Sequence, residues 1–207
     1  MELMDLALPV RIEDFGMKDD YTMEFNEYQD MVSRFHERTR RHIGLVQKYG
    51  MKICEKQDFF YQRYLPDIIG HDWSKFTKEE FDGYVLINHH YYCKQNKIYW
   101  KPTDYEKKMM EDASLHHITY NPHHPEFHDP LKGMIGSDNP VGTDRRVVDA
   151  RTMGTGPMIE MVSDWLAMSE ELNNDPFEWA DKVIPKKFVF GPAQVDFIYK
   201  MLHIGWN

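Results

Sequence analysis

The sequence is poor in cysteine, with only Cys54 and Cys93 among its 207 residues. Two cysteines do not provide a disulfide framework, and such a low number is typical of proteins from a reducing compartment. The sequence also lacks any apolar run near the roughly 20 residues that span a bilayer. Its acidic start, Met1-Glu2-Leu3-Met4-Asp5, lacks the basic residues that begin a signal peptide. We therefore expect a cytoplasmic protein without a membrane partner.

An excess of positive charge is absent as well. The formal net charge is −9 at pH 7, which argues against a general nucleic-acid coat because neutralising phosphates requires a basic surface. A free nucleotide can still bind an acidic protein if a metal ion and a few local cations meet its phosphate. The composition, 42% hydrophobic and 29% charged, is that of a globular chain, and the length suits one domain.

Alternation of polar and apolar residues, the pattern of a strand, is not sustained anywhere in the sequence, whereas helical spacing recurs. We predict an all-α fold with an N-terminal arm over residues 1–22 and a single helical domain over residues 23–207. Capping boxes are predicted at Thr77 with Glu80 and at Thr103 with Glu106. Helices are predicted from about 23 to 49, from about 55 to 64, from 77 past 89, from 103 to 120, after Pro157 and after Gly191.

Histidine is abundant, with eleven residues, and three doublets occur at 89–90, 116–117 and 123–124. His42 falls on the apolar face of the first predicted helix. The adjacent His71 and Asp72 follow an apolar helix end, and both side chains suit borderline divalent cations. Asp164 lies in an apolar helix without a Lys or Arg three or four positions away, so a buried carboxylate there needs a distant partner or a cation. Taken singly, each also fits an ordinary role as a capping, core or solvated residue.

Together these residues follow the order H…HD…D, and over roughly residues 30 to 200 the chain resembles the HD-domain superfamily of metal-dependent phosphohydrolases. His71-Asp72-Trp73-Ser74-Lys75 is similar to the HDxxK form of HD-GYP phosphodiesterases and their relatives. The HDxSKF run that ends at Phe76 and the LHHxxxNPHH run over residues 115–124, together with residues 158–164, resemble a bacterial and phage branch of the superfamily. The resemblance implies an all-helical single-domain bundle, and dimerisation among relatives makes a homo-oligomer an open alternative.

The resemblance also implies a metal centre of one or two divalent ions, among which Mn, Co, Fe, Mg, Zn and Ni are not distinguished. Binuclear members add two histidines to the basic set. One of His89 and His90, with one of His116 and His117, could supply them, and we assign them to His90 and His116. The rival choice is His116 or His117 together with His123 or His124. A GYP triplet is missing and Ile118 replaces a glutamate, so a trinuclear site is not expected. The implied ligands are His42, His71, Asp72, His90, His116 and Asp164.

The activity implied by the resemblance is hydrolysis of a phosphate ester in a nucleotide or related small molecule by metal-activated water. The catalytic candidates are Asp72, Lys75, His117 and His124. Lys75 is expected to bind the phosphate, with Arg145, Arg146 and Arg151 as further candidates or solvated loop charges. Two alternatives remain open: a mixed-valent di-iron oxygenase, which some binuclear members of the superfamily are, and a nucleotide-binding module without turnover.

Overall fold

The structure, a computed structural model, describes residues 25–57, 59–134 and 147–207. The predicted N-terminal arm, Arg145 and Arg146 lie outside the described residues. The prediction of an all-α fold is confirmed for the described part of the chain. Its helices are α1 Phe25–Gln57, α2 Leu65–Ile69, α3 Phe81–Gln95, α4 Asp104–Tyr120, α5 Thr155–Leu172, α6 Pro176–Val183 and α7 Pro192–Trp206.

Short elements connect these helices. Short 3₁₀ helices occur at Phe59–Tyr64, Trp73–Phe76, Pro125–His128 and Lys132–Met134. The two-residue strands β1 Val148–Asp149 and β2 Phe188–Val189 pair in parallel, with Val148 opposite Phe188. None of the helices in the described ranges is both long and apolar enough to cross a bilayer.

The long helix α1 joins two hydrophobic clusters. Its C-terminal half packs with α5 and α7 in the larger core, which includes Ile53, Leu166 and Met201. Its N-terminal half contributes Phe35 to a smaller cluster with Val85 on α3. Because α3 in turn packs on α4, α1 holds the α5 side and the α3–α4 side of the domain together.

The boundaries of the first two predicted helices are wrong. Helix α1 continues past Tyr49 to Gln57, and the helix predicted from about 55 to 64 is replaced by the end of α1 and the 3₁₀ helix at Phe59–Tyr64. Gly50 lies inside α1, where Ile68 approaches closely: a Cβ at residue 50 would lie 2.6 Å from Ile68 Cγ2. The capping box at Thr103 and Glu106 is confirmed.

The capping box predicted at Thr77 is wrong. Helix α3 begins at Phe81, and its start carries no side-chain cap. The Thr77 hydroxyl donates instead to the Ser74 carbonyl, 2.9 Å away. The Glu80 side chain is completely buried and contacts Ser74 and two histidines, so its interior hydrogen bonds replace the predicted cap.

Gly83 sets the distance between α3 and α4. A Cβ at residue 83 would lie 2.6 Å from the Met109 carbonyl oxygen and would also clash with Ala113 Cβ. We expect Gly83→Ala to lower the free energy of unfolding by about 1–3 kcal/mol, as overpacking does. Gly44→Ala is the matched control, because Gly44 is an exposed residue of α1 and an added Cβ there meets nothing within 4 Å. This change should raise the free energy of unfolding by up to about 1 kcal/mol. Urea unfolding followed by circular dichroism measures both, and equal stabilities would contradict this packing.

Candidate metal centre

Side chains from separate segments of the chain converge in one buried cluster. They come from α1, from the turn after α2, from the end of α4 with the turn that follows it, and from α5. Within the described residues, three groups have ligand atoms that all lie within 4.8 Å of one another. The groups are His42, His71 and Asp164; His71, Asp72 and His123; and His117, His123 and His124.

The turn after α2 directs two adjacent side chains inward. Gly70 ends α2, and Asp72 then adopts a left-handed backbone conformation with a φ of 61°, which aspartate tolerates better than most residues. His71 and Asp72 are both buried, whereas the next residue, Trp73, is exposed. The unusual backbone at Asp72 therefore accompanies a turn that buries the HD pair together.

A second turn brings the later histidines back to the helix they follow. Helix α4 ends at Tyr120, and the backbone N–H of the following Asn121 donates to the His117 carbonyl. Pro122 comes next, and the His124 amide donates to the Asn121 carbonyl, 3.0 Å away. The ring of His117 consequently lies 5.7 Å from that of His123 and 4.8 Å from that of His124.

The Asp72 carboxylate lies between two sets of imidazoles. Its Oδ2 atom lies 3.5 Å from His71 Nε2 and 3.8 Å from His42 Nε2. Its Oδ1 atom lies 3.1 Å from His117 Nε2 and 3.8 Å from His123 Nε2. We call His42, His71 and Asp164 the first half of the cluster, and His117, His123 and His124 the second half. Asp72 faces both halves with different oxygens.

A further layer of carboxylates contacts the outer nitrogens of the histidines. His71 and His123 each direct Nδ1 at Glu160, at 3.0 and 2.9 Å. His117 directs Nδ1 at Glu80, at 2.8 Å. His42 Nδ1 lies 3.5 Å from a Glu171 carboxylate oxygen. An imidazole that donates through Nδ1 keeps an unprotonated Nε2, which is the form that binds a metal ion.

Several inward-facing atoms of the cluster are buried without a hydrogen-bond partner in the described part of the chain. They are Nε2 of His71, His123 and His124. Buried polar atoms are rarely left unpaired, because each costs about 1–3 kcal/mol. Imidazole nitrogen and carboxylate oxygen are donors for borderline divalent ions. The residues therefore fit a divalent cation in donor type, in orientation and in position.

The electrostatic environment separates the histidines into two kinds. Burial lowers the pKa of His123 to about 4 and, together with the neighbouring imidazoles, lowers the pKa of His124 well below its usual value. Burial also disfavours the charged form of His42, but its contacts with Asp164 and Glu171 outweigh this and raise the pKa to about 9. In the metal-free protein, therefore, His42 carries a proton beside Asp164, 3.0 Å away. Contacts with Asp72 and Glu80 likewise raise the pKa of His117, although burial and Lys75 oppose this.

Lys75 lies at the edge of the cluster, as expected from the HDxxK run. Its ammonium group donates to Asp72 Oδ2 and lies 4.9 Å from the centre of the Tyr84 ring. Tyr84 in turn meets His117 edge to face at 5.2 Å. Although burial opposes ionisation of Asp72, the adjacent His71, Lys75 and His117 hold the pKa of its carboxyl well below the usual range.

We assigned the two additional histidines of a binuclear site to His90 and His116, but the structure brings other histidines to Asp72. His90 contacts the rings of Tyr91 and Trp100 and is in none of the three groups found in the described ranges. His116 is one-third exposed at its side chain and directs Nδ1 at Glu80. Adjacent residues of a helix point about 100° apart, so only His117 of its doublet faces the cluster. The alternative pairing with the loop histidines matches the geometry.

Arg151 is engaged elsewhere. Its guanidinium makes two hydrogen bonds to Asp149, at 2.9 and 2.7 Å, in an exposed ion pair. The predicted role of Arg151 in phosphate binding thus gains no support from its contacts. Arg145 and Arg146, named with it, lie outside the described residues.

The contacts of the outer carboxylates with the histidines were not predicted from the sequence. Glu160 precedes Asp164 by four residues, which places both on one face of α5, and a second acidic residue on that apolar helix was the available signal. Glu171 lies seven residues after Asp164 on the same helix. Glu80 was interpreted as a capping residue. Its hydrogen bonds to Ser74 and His117 depend on long-range packing and have no local sequence signal.

The described residues define an all-helical protein with a buried cluster of histidines and carboxylates. The chain belongs to the family described as "Family of unknown function (DUF5662)", whose model matches residues 31–204. Comparisons with curated proteins and with solved structures gave no match. The family description specifies no reaction.

We expect a divalent ion such as Mn²⁺ to raise the melting temperature of chelator-treated protein. An ion at one hundred times its Kd stabilises the folded state by about 2.7 kcal/mol. Asp164→Ala, which removes a carboxylate of the first half, should diminish this shift. Asp149→Ala, which removes an exposed carboxylate paired with Arg151, should preserve it. Differential scanning fluorimetry measures the shifts, and a full shift in Asp164→Ala would show that the ion binds elsewhere.

Proposed function

We propose that the protein is a metal-dependent phosphohydrolase that hydrolyses a phosphate ester of a nucleotide or a related small molecule. The observation that carries the proposal is the buried Asp72, whose two oxygens face different sets of imidazoles. This arrangement would let one carboxylate serve two divalent ions. His42, His71, Asp72 and Asp164 would hold the first ion, and Asp72 with His117 and His123 would hold the second.

Divalent ions in such a centre supply Lewis acidity, which polarises a phosphoryl oxygen and makes water nucleophilic near neutral pH. The resemblance to the HD-domain superfamily, given by the H…HD…D order, supports the same reaction class. The residues expected from that order also lie close together in the structure, and this proximity is independent support for the proposal. They are His42, His71-Asp72 and Asp164.

Lys75 is our candidate for the residue that binds the substrate phosphate. Its ammonium group contacts an oxygen of Asp72, so only a small movement is needed to reach an anion bound beside that carboxylate. Lysine acts as a compact point charge on a flexible stem, which suits such a movement. The chain is acidic overall, and Lys75 supplies local positive charge where the phosphate would bind.

His124 is our candidate for the residue that moves a proton during hydrolysis. Its Nε2 is buried, and within the described ranges it lacks a hydrogen-bond partner. Its ring contacts those of His117 and His123, so it lies beside the atoms that would hold the second ion. His124 would either complete that ligand set or transfer a proton between the attacking water and the leaving oxygen.

A mixed-valent di-iron oxygenase is the second candidate, because histidines and bridging carboxylates of this kind also hold iron. The number of imidazoles around Asp72 is the observation in its favour. The pairing of a lysine with the shared carboxylate favours an anionic phosphate substrate, and for this reason we rank hydrolysis first. A nucleotide-binding module without turnover would not need buried, unpaired metal-ligating atoms that face the interior of the cluster.

The reaction is tested by elemental analysis of the purified protein and a panel of nucleotides and phosphate esters with Mn²⁺, Co²⁺, Mg²⁺ or Fe²⁺, scored for phosphate or nucleoside release. Asp72→Ala should abolish both bound metal and turnover, because it removes the shared carboxylate. Full turnover in Asp72→Ala would show that the site assignment is wrong. Iron content with oxygen consumption and no phosphate release would instead identify an oxygenase.

Lys75→Gln should lower kcat/KM by about one to two orders of magnitude while leaving the bound metal in place, since a hydrogen bond to a charged group contributes about 1.5–3 kcal/mol. Lys78→Gln is the matched control, because the Lys78 side chain is 91% exposed and lies only three residues away. Steady-state kinetics on the best substrate of the panel measures both variants. Equal losses in the two variants would exclude a specific role for Lys75.

A further inference from the structure

Glu160 contacts histidines of both halves of the cluster. We propose that it is a shared positioning residue, through which ion binding in one half promotes ion binding in the other. This inference rests on the proposed function, because it requires the cluster to bind two ions. It adds a regulatory property, coupled loading, that the ligand set alone does not imply.

One oxygen of Glu160 makes both contacts. Its Oε1 atom lies 3.0 Å from Nδ1 of His71 and 2.9 Å from Nδ1 of His123. The two rings approach to 4.4 Å between centroids, and Glu160 itself is only 6% exposed. Rings that come from the turn after α2 and the turn after α4 are therefore held by a single acceptor on α5.

The shared acceptor links the orientations of the two rings. Nε2 of each ring is buried and, judged over the described residues, has no hydrogen-bond partner. The hydrogen bond of His71 Nδ1 and the 2.9 Å contact of His123 Nδ1, both to Glu160, are therefore the polar contacts that direct each Nε2 inward. An ion bound by His71 would immobilise that ring and, through it, the Glu160 carboxylate. His123 would then meet a pre-ordered acceptor, which reduces the entropy lost when it binds the second ion. Couplings of this kind typically change affinity about 5- to 150-fold.

The other outer carboxylates each serve one half. Glu171 lies beside His42 in the first half. Glu80 contacts His117 in the second half, and its other oxygen contacts His116 outside the cluster. Glu171→Gln and Glu80→Gln are therefore matched controls for Glu160→Gln, with the same chemical change at one half only. All three variants retain Asp72, so a loss of coupling confined to Glu160→Gln cannot be attributed to that shared carboxylate.

The experiment titrates chelator-treated protein with Co²⁺ alone and follows binding by calorimetry and by visible absorption. The wild-type protein should bind two ions with positive coupling. Loss of an outer-shell partner typically weakens metal binding 10- to 100-fold. Glu160→Gln should therefore weaken both ions by about this factor and remove the coupling, whereas Glu171→Gln and Glu80→Gln should each weaken one ion.

Two measurements distinguish the positioning role of Glu160 from a purely structural role. The melting temperatures of the metal-free variants report the stability of the fold, and Glu160→Asp keeps the charge while withdrawing the oxygen by one methylene. We expect Glu160→Asp to remain folded and to lose the coupling as Glu160→Gln does. Wild-type affinity and coupling in folded Glu160→Asp would overturn the positioning role.

Two further outcomes separate this inference from the proposed function. If the wild-type protein binds two ions but Glu160→Gln weakens only one, or leaves the coupling unchanged, the inference fails while the proposed function stands. If both ions and their coupling depend on Glu160 but no phosphate ester is hydrolysed, the inference stands and the proposed reaction fails. A wild-type protein that binds no ion would overturn both.

Discussion

The buried carboxylate of Asp72 imposes the main physical constraint on this structure. A charge that is 2% exposed is tolerated only when surrounding groups stabilise it, because an isolated ion in a protein interior is prohibitively costly. Here the stabilising groups are Lys75 and imidazoles from both halves of the cluster. They come from α1, from the α2 turn and from the α4 end. The bundle must bring these segments to one point for Asp72 to remain ionised.

The balance of charge around Asp72 explains why a cation fits this interior. The inner layer contains Asp72 and Asp164, and the outer layer adds Glu80, Glu160 and Glu171. Lys75 and a protonated His42 provide positive charge against these carboxylates, while burial keeps His123 and His124 neutral. Neutral imidazoles beside an excess of buried negative charge form an environment in which a divalent ion lowers the electrostatic free energy.

The helices support this arrangement through close packing on both sides. Helix α5 places Asp164 and Glu171 beside His42 of α1, and it places Glu160 beside His71 and His123. Gly83 lets α3 approach α4 closely enough for Glu80, just before α3, to contact His117 at the end of α4. The rigid scaffold thus orients the outer carboxylates, the outer carboxylates orient the imidazoles, and the imidazoles surround Asp72.

The sequence by itself determined the helical class, the Thr103 capping box, and the candidacy of His42, His71-Asp72 and Asp164, because helical periodicity and short-range charge pairing are local properties of a chain. Tertiary structure decided that His117 and His123 face Asp72, and it excluded His90 and His116 from that position. It also decided that Glu80 is buried and that one oxygen of Glu160 serves two rings. These outcomes depend on how α4 packs on α3, on how α5 packs on α1 and on the turn after Asn121. Such packing arises from contacts between residues far apart in the chain.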